Sequence, residues 1–298
     1  MSAPETFRFA GGTAVVTGAA SGMGEHLARG LAARGCGLAL VDRDGARLRD
    51  VAASITAAHP HLPVAIHVAD LADPAAVDRL GEEVLATHPR ISLLVNNAGV
   101  SMSGSFTQLS ADEFDWVMQV NFRAPVALIR ALLPRLLESP GSHVVNTSSL
   151  WGLAAPANNA AYATSKFALR GLSEALRQDL ARKRIGVTTV FPGGVATRIV
   201  QEERPPASVS EEQAERRRRV NQQLLTYPPD RAAERILRGI ERREARVVFT
   251  TSAITVDVAS RLFPTHYTRV LAAVTATRMR LAGARLPRTR RSVPGTSG

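Results

Sequence analysis

Cysteine occurs once in the 298 residues, at Cys36, so no intrachain disulfide can form and a reducing compartment fits best. No stretch reaches about 18 uninterrupted apolar residues, so no membrane span is expected. Residues Met1–Gly12 lack an apolar run behind a basic start; no signal peptide is expected, and the expected location is cytoplasmic. Lysine occurs only twice, at Lys166 and Lys183, so nearly all of the +11 net charge rests on arginine. A general preference for arginine over lysine accounts for this. The sharper reading is attraction to an anionic partner such as a nucleotide-bearing substrate or a membrane surface. Nothing resembles a nucleic-acid-binding motif, so no nucleic acid is expected as partner. No internal repeat stands out, and no metal is expected.

What is present is a rhythm. Short β-branched runs at Thr13–Thr17, Gly37–Val41, Val64–Val68, Ile91–Val95, His143–Thr147 and Val187–Phe191 read as strands, with Val247–Thr250 a candidate seventh. Helical stretches lie between them: Gly22–Arg34, Asp44–Ala58, Pro74–Thr87, Ser110–Leu137 behind the capping box Ser110-x-x-Glu113, and Tyr162–Lys183. Near-uniformly apolar strands alternating with helices imply an α/β fold, a parallel sheet covered on both faces. Two segments break the pattern. Thr197–Pro229 is polar, proline- and arginine-rich, with Ser210-x-x-Gln213 able to cap a helix through Leu225. Beyond Thr250, apolar positions at Val256, Ala259, Leu262, Phe263, Val270, Leu271 and Val274 suit amphipathic helices. Their expected role is packing on the core or a second subunit rather than on a membrane. The end, Arg285–Gly298, is expected to be disordered.

The first strand runs into Thr17-Gly-Ala-Ala-Ser-Gly-Met-Gly24, followed by a helix. Gly18, Gly22 and Gly24, with Ser21 and Met23 between them, permit a tight turn and close backbone approach to a pyrophosphate at a helix N-terminus. Asp42, 18 residues past Gly24, stands near the spacing at which an acid accepts hydrogen bonds from ribose hydroxyls. Its charge would repel a 2′-phosphate, which favours NAD; Arg43 beside it keeps NADP as the second choice. Asp70 can face the adenine or cap its turn. Asn96-Asn-Ala-Gly99 ends the fourth strand as a turn close to a cofactor.

Tyr162-x-x-x-Lys166 places the two side chains on one helix face. A free phenol has a pKa near ~10; a nearby ammonium lowers it toward the range of a useful acid/base. In a chain that otherwise uses arginine, Lys166 is conspicuous. Ser149, 13 residues earlier at the end of the fifth strand, can hydrogen-bond a reacting oxygen, with Ser148 as competitor.

In order and spacing, Thr17–Gly24, Asn96–Gly99, Ser149, Tyr162-x-x-x-Lys166 and Pro192-Gly-Gly-Val-Ala-Thr197 resemble the short-chain dehydrogenase/reductase superfamily in its short, single-domain form. The resemblance covers Thr13–Thr197 well and reaches loosely to Thr250. It implies a doubly wound Rossmann fold with a seven-stranded parallel sheet. It also implies one catalytic domain over 1–298, with its core near 10–250, a substrate lid near 198–229 and an amphipathic extension over 251–284. The implied centre is Asn121, Ser149, Tyr162 and Lys166. The implied cofactor contacts add Leu71, Asn97, Ala98, Gly99, Pro192, Gly193, Val195 and Thr197 to the residues above, with Tyr162 and Lys166 shared. Pro125 lacks an N–H and so frees the carbonyl of Asn121 within a regular helix, either as a simple kink or as the seat of a proton-relay water.

The implied activity is hydride transfer between a nicotinamide and an alcohol or ketone carbon of a moderately apolar small molecule. Tyr162 acts as acid/base, and the enzyme is a homodimer or homotetramer. Met102, Trp151, Leu153 and Val195 are the expected pocket lining. The alternative is a catalytically silent nucleotide-binding scaffold of the same fold. In the lid, the run Arg216–Arg219 reads first as a solvated charged surface, partly neutralised by Glu211, Glu212 and Glu215 within helical reach; the sharper reading is that at least one guanidinium faces inward, toward an acid, a cofactor phosphate or a substrate anion.

Overall fold

The structure, a computed structural model, describes residues 6–269. Seven strands form one sheet in the order β3-β2-β1-β4-β5-β6-β7, every pair parallel. They are β1 Thr13–Thr17, β2 Gly37–Asp42, β3 Val64–Val68, β4 Ile91–Asn96, β5 His143–Thr147, β6 Gly186–Phe191 and β7 Arg246–Val248. Successive strand residues point to opposite faces, so a strand buried on both sides must be apolar throughout. In β1, Ala14 and Val16 pack on one face and Val15 on the other, all fully buried.

The first face is covered by α1 (Gly22–Ala32), α2 (Gly45–Ala58) and α8 (Pro229–Glu241), through Leu27, Leu31, Leu48, Ile55, Ile236 and Ile240. The second is covered by α3 (Pro74–Thr87), α5 (Ala124–Glu138) and α6 (Ala160–Ala181), through Leu80, Val84, Leu128, Leu132 and Leu180. The remaining helices are α4 (Ala111–Met118), α7 (Glu211–Gln223) and α9 (Thr251–Leu262). Sequence order turns back between β1 and β4, which are neighbours in the sheet. Chains leaving there diverge to opposite faces, which opens a crevice at the carboxyl edge.

Four expectations are corrected. The helix α8 was not anticipated, although Ala232, Ala233, Ile236, Leu237 and Ile240 repeat at helical spacing and are buried, mainly against α1. The long fourth helix is not regular. Between α4 and α5, Gln119–Arg123 widens to a π turn, with the N–H of Ala124 donating to the carbonyl of Gln119. The seventh strand ends at Val248. Thr250 instead takes a left-handed conformation (φ 73°) and caps α9 with its hydroxyl. Leu262 and Phe263 lie off the buried face of α9, which is built from Ala253, Val256 and Ala259. The helix expected around Val270–Val274 and the disorder expected over Arg285–Gly298 fall outside the described residues. Among the described residues no helix is long and apolar enough to cross a membrane.

One buried residue gives the fold a pH signature. His143 in β5 is fully buried and shares a 2.7 Å hydrogen bond with the Thr188 hydroxyl. Burial, with Arg243 adding to it, pushes its pKa down to about 3. The native state therefore stays unprotonated where the unfolded chain takes up a proton. Stability is full above about pH 6.5 and falls as pH drops toward 3, by about 1 kcal/mol per pH unit for this residue. His67 and His88, also lowered mainly by burial, act in the same direction. Urea unfolding at pH 7 and pH 5 should show wild type losing about 1–2 kcal/mol more than His143→Gln. Equal losses would mean that His143 is not held neutral.

Candidate functional site

A groove of about 1290 Å³ runs along the carboxyl edge of the sheet. Its floor is stitched at the switch point. The Thr17 hydroxyl accepts from the N–H groups of Asn97 and Ala98, both at 3.0 Å, and the Asn97 amide donates to the Thr17 carbonyl at 3.1 Å. The loop after β1 is thus fixed to the loop after β4. Gly18 has φ +68°, and a Cβ there would lie 2.9 Å from Cα of Ala98. At Gly24 a Cβ would sit only 1.8 Å from the Gly18 carbonyl, so the first turn of α1 can close on the loop only as glycine. Ser21, the N-cap of α1, makes no side-chain cap bond, which leaves that helix terminus facing the groove. Oδ1 of Asn97 and Oγ1 of Thr147 belong to groove-lining residues and are buried without a partner among the described residues. A glycine cradle, a bare helix N-terminus and unmatched polar atoms are what a dinucleotide's pyrophosphate and amide groups require.

Asp42 ends β2, where its carboxylate accepts from the N–H of Ala20 and of Asp44, both at 3.0 Å. It ties the glycine loop down while facing the groove. Asp70 accepts from the N–H of Ala72 at 2.9 Å and lines the same groove, so it both caps its turn and faces the ligand space; Asp73 caps α3. Arg43, Arg47 and Arg198 also converge at this end, on the carboxylate of Glu202.

At the other end lie Ser149, Tyr162 and Lys166, all buried. The alternatives at β5 separate cleanly. The Ser148 hydroxyl donates to the Lys166 carbonyl at 2.9 Å, which is a packing bond. Ser149 is the side-chain hydrogen-bond partner of the Tyr162 phenol. The Lys166 ammonium donates to the Thr147 carbonyl at 3.0 Å and lies 5.7 Å from the Tyr162 ring centre. Burial lowers the lysine pKa to about 8. Burial also raises the tyrosine pKa; Ser149 opposes the rise and the negative charge of Glu203 adds to it. The Tyr162 pKa is therefore raised in the protein alone, not lowered as the Tyr-Lys spacing suggests, and desolvation of the phenolate is the largest cause.

Asn121 sits behind this centre rather than on the groove wall. It is fully buried, accepts from the Val100 N–H at 2.8 Å, and donates to the Val100 carbonyl and the Ser165 hydroxyl, both at 3.0 Å. Its side chain clamps the loop after β4 to α6. The π turn that carries it precedes Pro125, so the helix answers the missing N–H by widening.

Gly18, Ser21, Gly22, Met23, Asp42, Arg43, Asp70, Leu71, Asn97, Ala98, Gly99, Pro192, Gly193, Val195 and Thr197 all border the one groove with Ser149, Tyr162 and Lys166. Gly24 and Asn121 stand behind it. Trp151 and Val195 line it as expected. Leu153 instead packs with Phe191 and Val256, and Met102 with Val117 and Ala161. Residues 250–252 and 254–256, at the start of α9, form an unforeseen wall. Glu203, buried and accepting from the Ser101 hydroxyl at 3.3 Å, was also missed. In α7 Arg217 and Arg218 are the half-buried members of the arginine run. Arg217 donates to the Ser103 carbonyl at 3.1 Å and to the Gln108 amide oxygen at 3.4 Å. Arg218 pairs with Glu211, and Arg219 with Glu215.

A family model for short chain dehydrogenases matches residues 12–208. SadH of Mycobacterium tuberculosis, named as an oxidoreductase, is 34% identical over 270 residues, covering 89% of this chain and 95% of SadH. A short-chain dehydrogenase/reductase of Burkholderia phymatum, solved with NAD, superposes with a TM-score of 0.75 at 27% identity, covering 96% of this chain and 100% of the other. A short-chain dehydrogenase of Sphingobium yanoikuyae, solved with NADPH, gives 0.70 at 28% identity, with 95% and 99% covered. The chain belongs to the short-chain dehydrogenase/reductase family and is an oxidoreductase of that family.

Proposed function

We propose that the protein is an NAD(P)-dependent alcohol dehydrogenase or ketoreductase acting on a moderately apolar substrate, with NAD the expected cofactor. The observation that carries this reading is that Ser149, Tyr162 and Lys166 open into the same groove as the glycine cradle. The nicotinamide, when bound, supplies or accepts the hydride. The residues that would hold the cofactor are Gly18, Ser21, Gly22 and Met23 at the pyrophosphate, and Asp42 with Arg43 at the adenosine ribose. Asp70 and Leu71 would face the adenine. Asn97, Ala98, Gly99, Pro192, Gly193, Val195 and Thr197 would flank the rest. Gly24 supports the cradle from behind.

Tyr162 exchanges the proton with the substrate oxygen, and Ser149 holds that oxygen. Lys166 contributes positive charge at the ribose, and Asn121 positions the strand-end loop and α6. Because the phenol pKa is raised, Tyr162 stays protonated at neutral pH, the form that gives a proton to a carbonyl. A scaffold without turnover has no use for this buried set of four. The lid, residues 198–229, closes the groove near Leu224 and Tyr227, and the early turns of α9 supply the opposite wall. A turnover screen of secondary alcohols and ketones with NAD(H) and NADP(H) in parallel tests the reading. Binding of either dinucleotide without turnover of any compound would favour the silent scaffold.

Replacing Arg216–Arg219 with glutamine should leave the dinucleotide Kd within about twofold at both low and high salt, since none of these residues borders the groove. A clear weakening confined to low salt would show that the run attracts the cofactor after all.

A further inference from the structure

The adenosine end of the groove carries seven charged residues: Asp42, Arg43, Asp44, Arg47, Asp70, Arg198 and Glu202. Their pairing is uneven. Asp42 is engaged by two backbone N–H groups, and Asp44 caps α2 and meets Arg47 at 3.2 Å. Glu202 is the acid on which three guanidiniums converge: Arg198 at 3.0 Å, Arg47 at 3.3 Å and Arg43 at 3.6 Å. Arg43 and Arg47 belong to the end of β2 and the first turn of α2. Glu202 belongs to the lid, on a turn where its N–H donates to the Arg198 carbonyl at 2.8 Å. One lid carboxylate thus bridges to the two arginines nearest the ribose-binding acid. An arginine at this place is what accommodates a 2′-phosphate.

We propose that Glu202 is a latch holding the lid to Arg43 and Arg47, and that a 2′-phosphate displaces it, so that cofactor choice is coupled to release of the lid. The inference rests on the nucleotide reading above. All four side chains are between about a third and a half exposed, so each ion pair is individually weak and exchangeable. A phosphate offers more charge and three acceptor oxygens, and binds guanidinium in bidentate fashion, so it competes well with a single carboxylate. NAD carries no such group. With NAD the latch stays closed and Glu202 remains on its arginines. With NADP the arginines turn to the phosphate, and the lid loses its tether at this end.

The test uses the full chain and two variants, Glu202→Gln and, as a control on the opposite side of the latch, Arg47→Gln. Calorimetry with adenosine 5′-monophosphate and adenosine 2′,5′-bisphosphate isolates the phosphate, and NAD+ and NADP+ report the whole ligand. Glu202→Gln should tighten the bisphosphate and NADP+ by about five- to tenfold, with the monophosphate and NAD+ unchanged within about twofold. Arg47→Gln should weaken the phosphorylated pair. Trypsin cleavage within residues 198–225, read by mass spectrometry, reports the lid. Wild type saturated with NADP+ should be cut several times faster than wild type saturated with NAD+, and Glu202→Gln should be cut at the fast rate with either. Binding of both dinucleotides with an unchanged preference in Glu202→Gln, or equal cleavage of wild type in both complexes, overturns the latch alone. Failure of every nucleotide to bind the wild-type protein overturns the cofactor reading and the latch with it.

Discussion

Tyr162→Phe is expected to lower kcat by about 10²–10⁴-fold while the dinucleotide Kd stays within about threefold. Only the phenolic oxygen is removed, and the ring keeps its place in a buried site. The pH dependence separates this role from a packing one. Burial and the charge of Glu203 raise the Tyr162 pKa, so the phenolate needed to take a proton from an alcohol is scarce at neutral pH. Alcohol oxidation by wild type should therefore climb as pH rises above neutral. Carbonyl reduction, which needs the phenol, should be near its maximum at neutral pH. The residual activity of the phenylalanine variant should show neither dependence on this group. Steady-state kinetics in both directions across pH 6–10 read the result. A variant that keeps more than about a tenth of the wild-type rate would remove Tyr162 from the proton transfer.

The second large effect is at Gly24. A methyl group there would meet the Gly18 backbone carbonyl at 1.8 Å and the Asn97 side-chain amide at 2.7 Å, and the backbone carbonyl cannot swing aside as the end of a flexible side chain could. Gly24→Ala should move the first turn of α1 away from the glycine loop. The expected cost is about 1–3 kcal/mol of stability from overpacking. Dinucleotide affinity should fall by at least about tenfold, because the turn that presents N–H groups to the pyrophosphate is displaced. Gly171 in α6 is the internal control: nothing lies within 4 Å of a Cβ there. Gly171→Ala should stabilise by about 0.5–1 kcal/mol and leave binding untouched. Thermal unfolding and calorimetry on the two variants check both halves. Normal affinity in Gly24→Ala would mean that the cradle does not hold the phosphates.

Most of the sheet was legible because a strand buried on both faces has to be apolar; the edge strand β3, with Ile66 and Val68 exposed, was legible from its β-branched run alone. The groove residues were legible because glycine, asparagine and the Tyr-Lys pair are constrained by geometry that recurs at fixed spacing. What escaped the sequence is governed by long-range packing. The amphipathic repeat Ala232–Ile240 is visible in principle, but it begins just beyond the arginine- and proline-rich stretch that ends at Pro229, and its partner is the distant α1. The π turn at Gln119–Arg123 sits ahead of Pro125, whose missing N–H marks a break in the helix but not that the break takes the form of a widened turn. The direction of the Tyr162 pKa is set mainly by burial, and burial is a property of the folded site. The acids at 202 and 203 carry no sequence signal that sets them apart from the charged residues around them. Only the fold places Glu202 on arginines from β2 and α2, and Glu203 near the phenol.

The most direct test of the central claim follows the hydride itself. Reduced nicotinamide dinucleotide carrying deuterium at both C4 positions is incubated with the protein and a ketone that the turnover screen selects, and the product is examined by mass spectrometry and NMR. The expected result is one deuterium at the carbinol carbon per cofactor oxidised, with the hydroxyl proton drawn from solvent, and no product with Tyr162→Phe above the residual rate. Oxidation of the cofactor without deuterium at that carbon, or full transfer by the phenylalanine variant, would contradict the account.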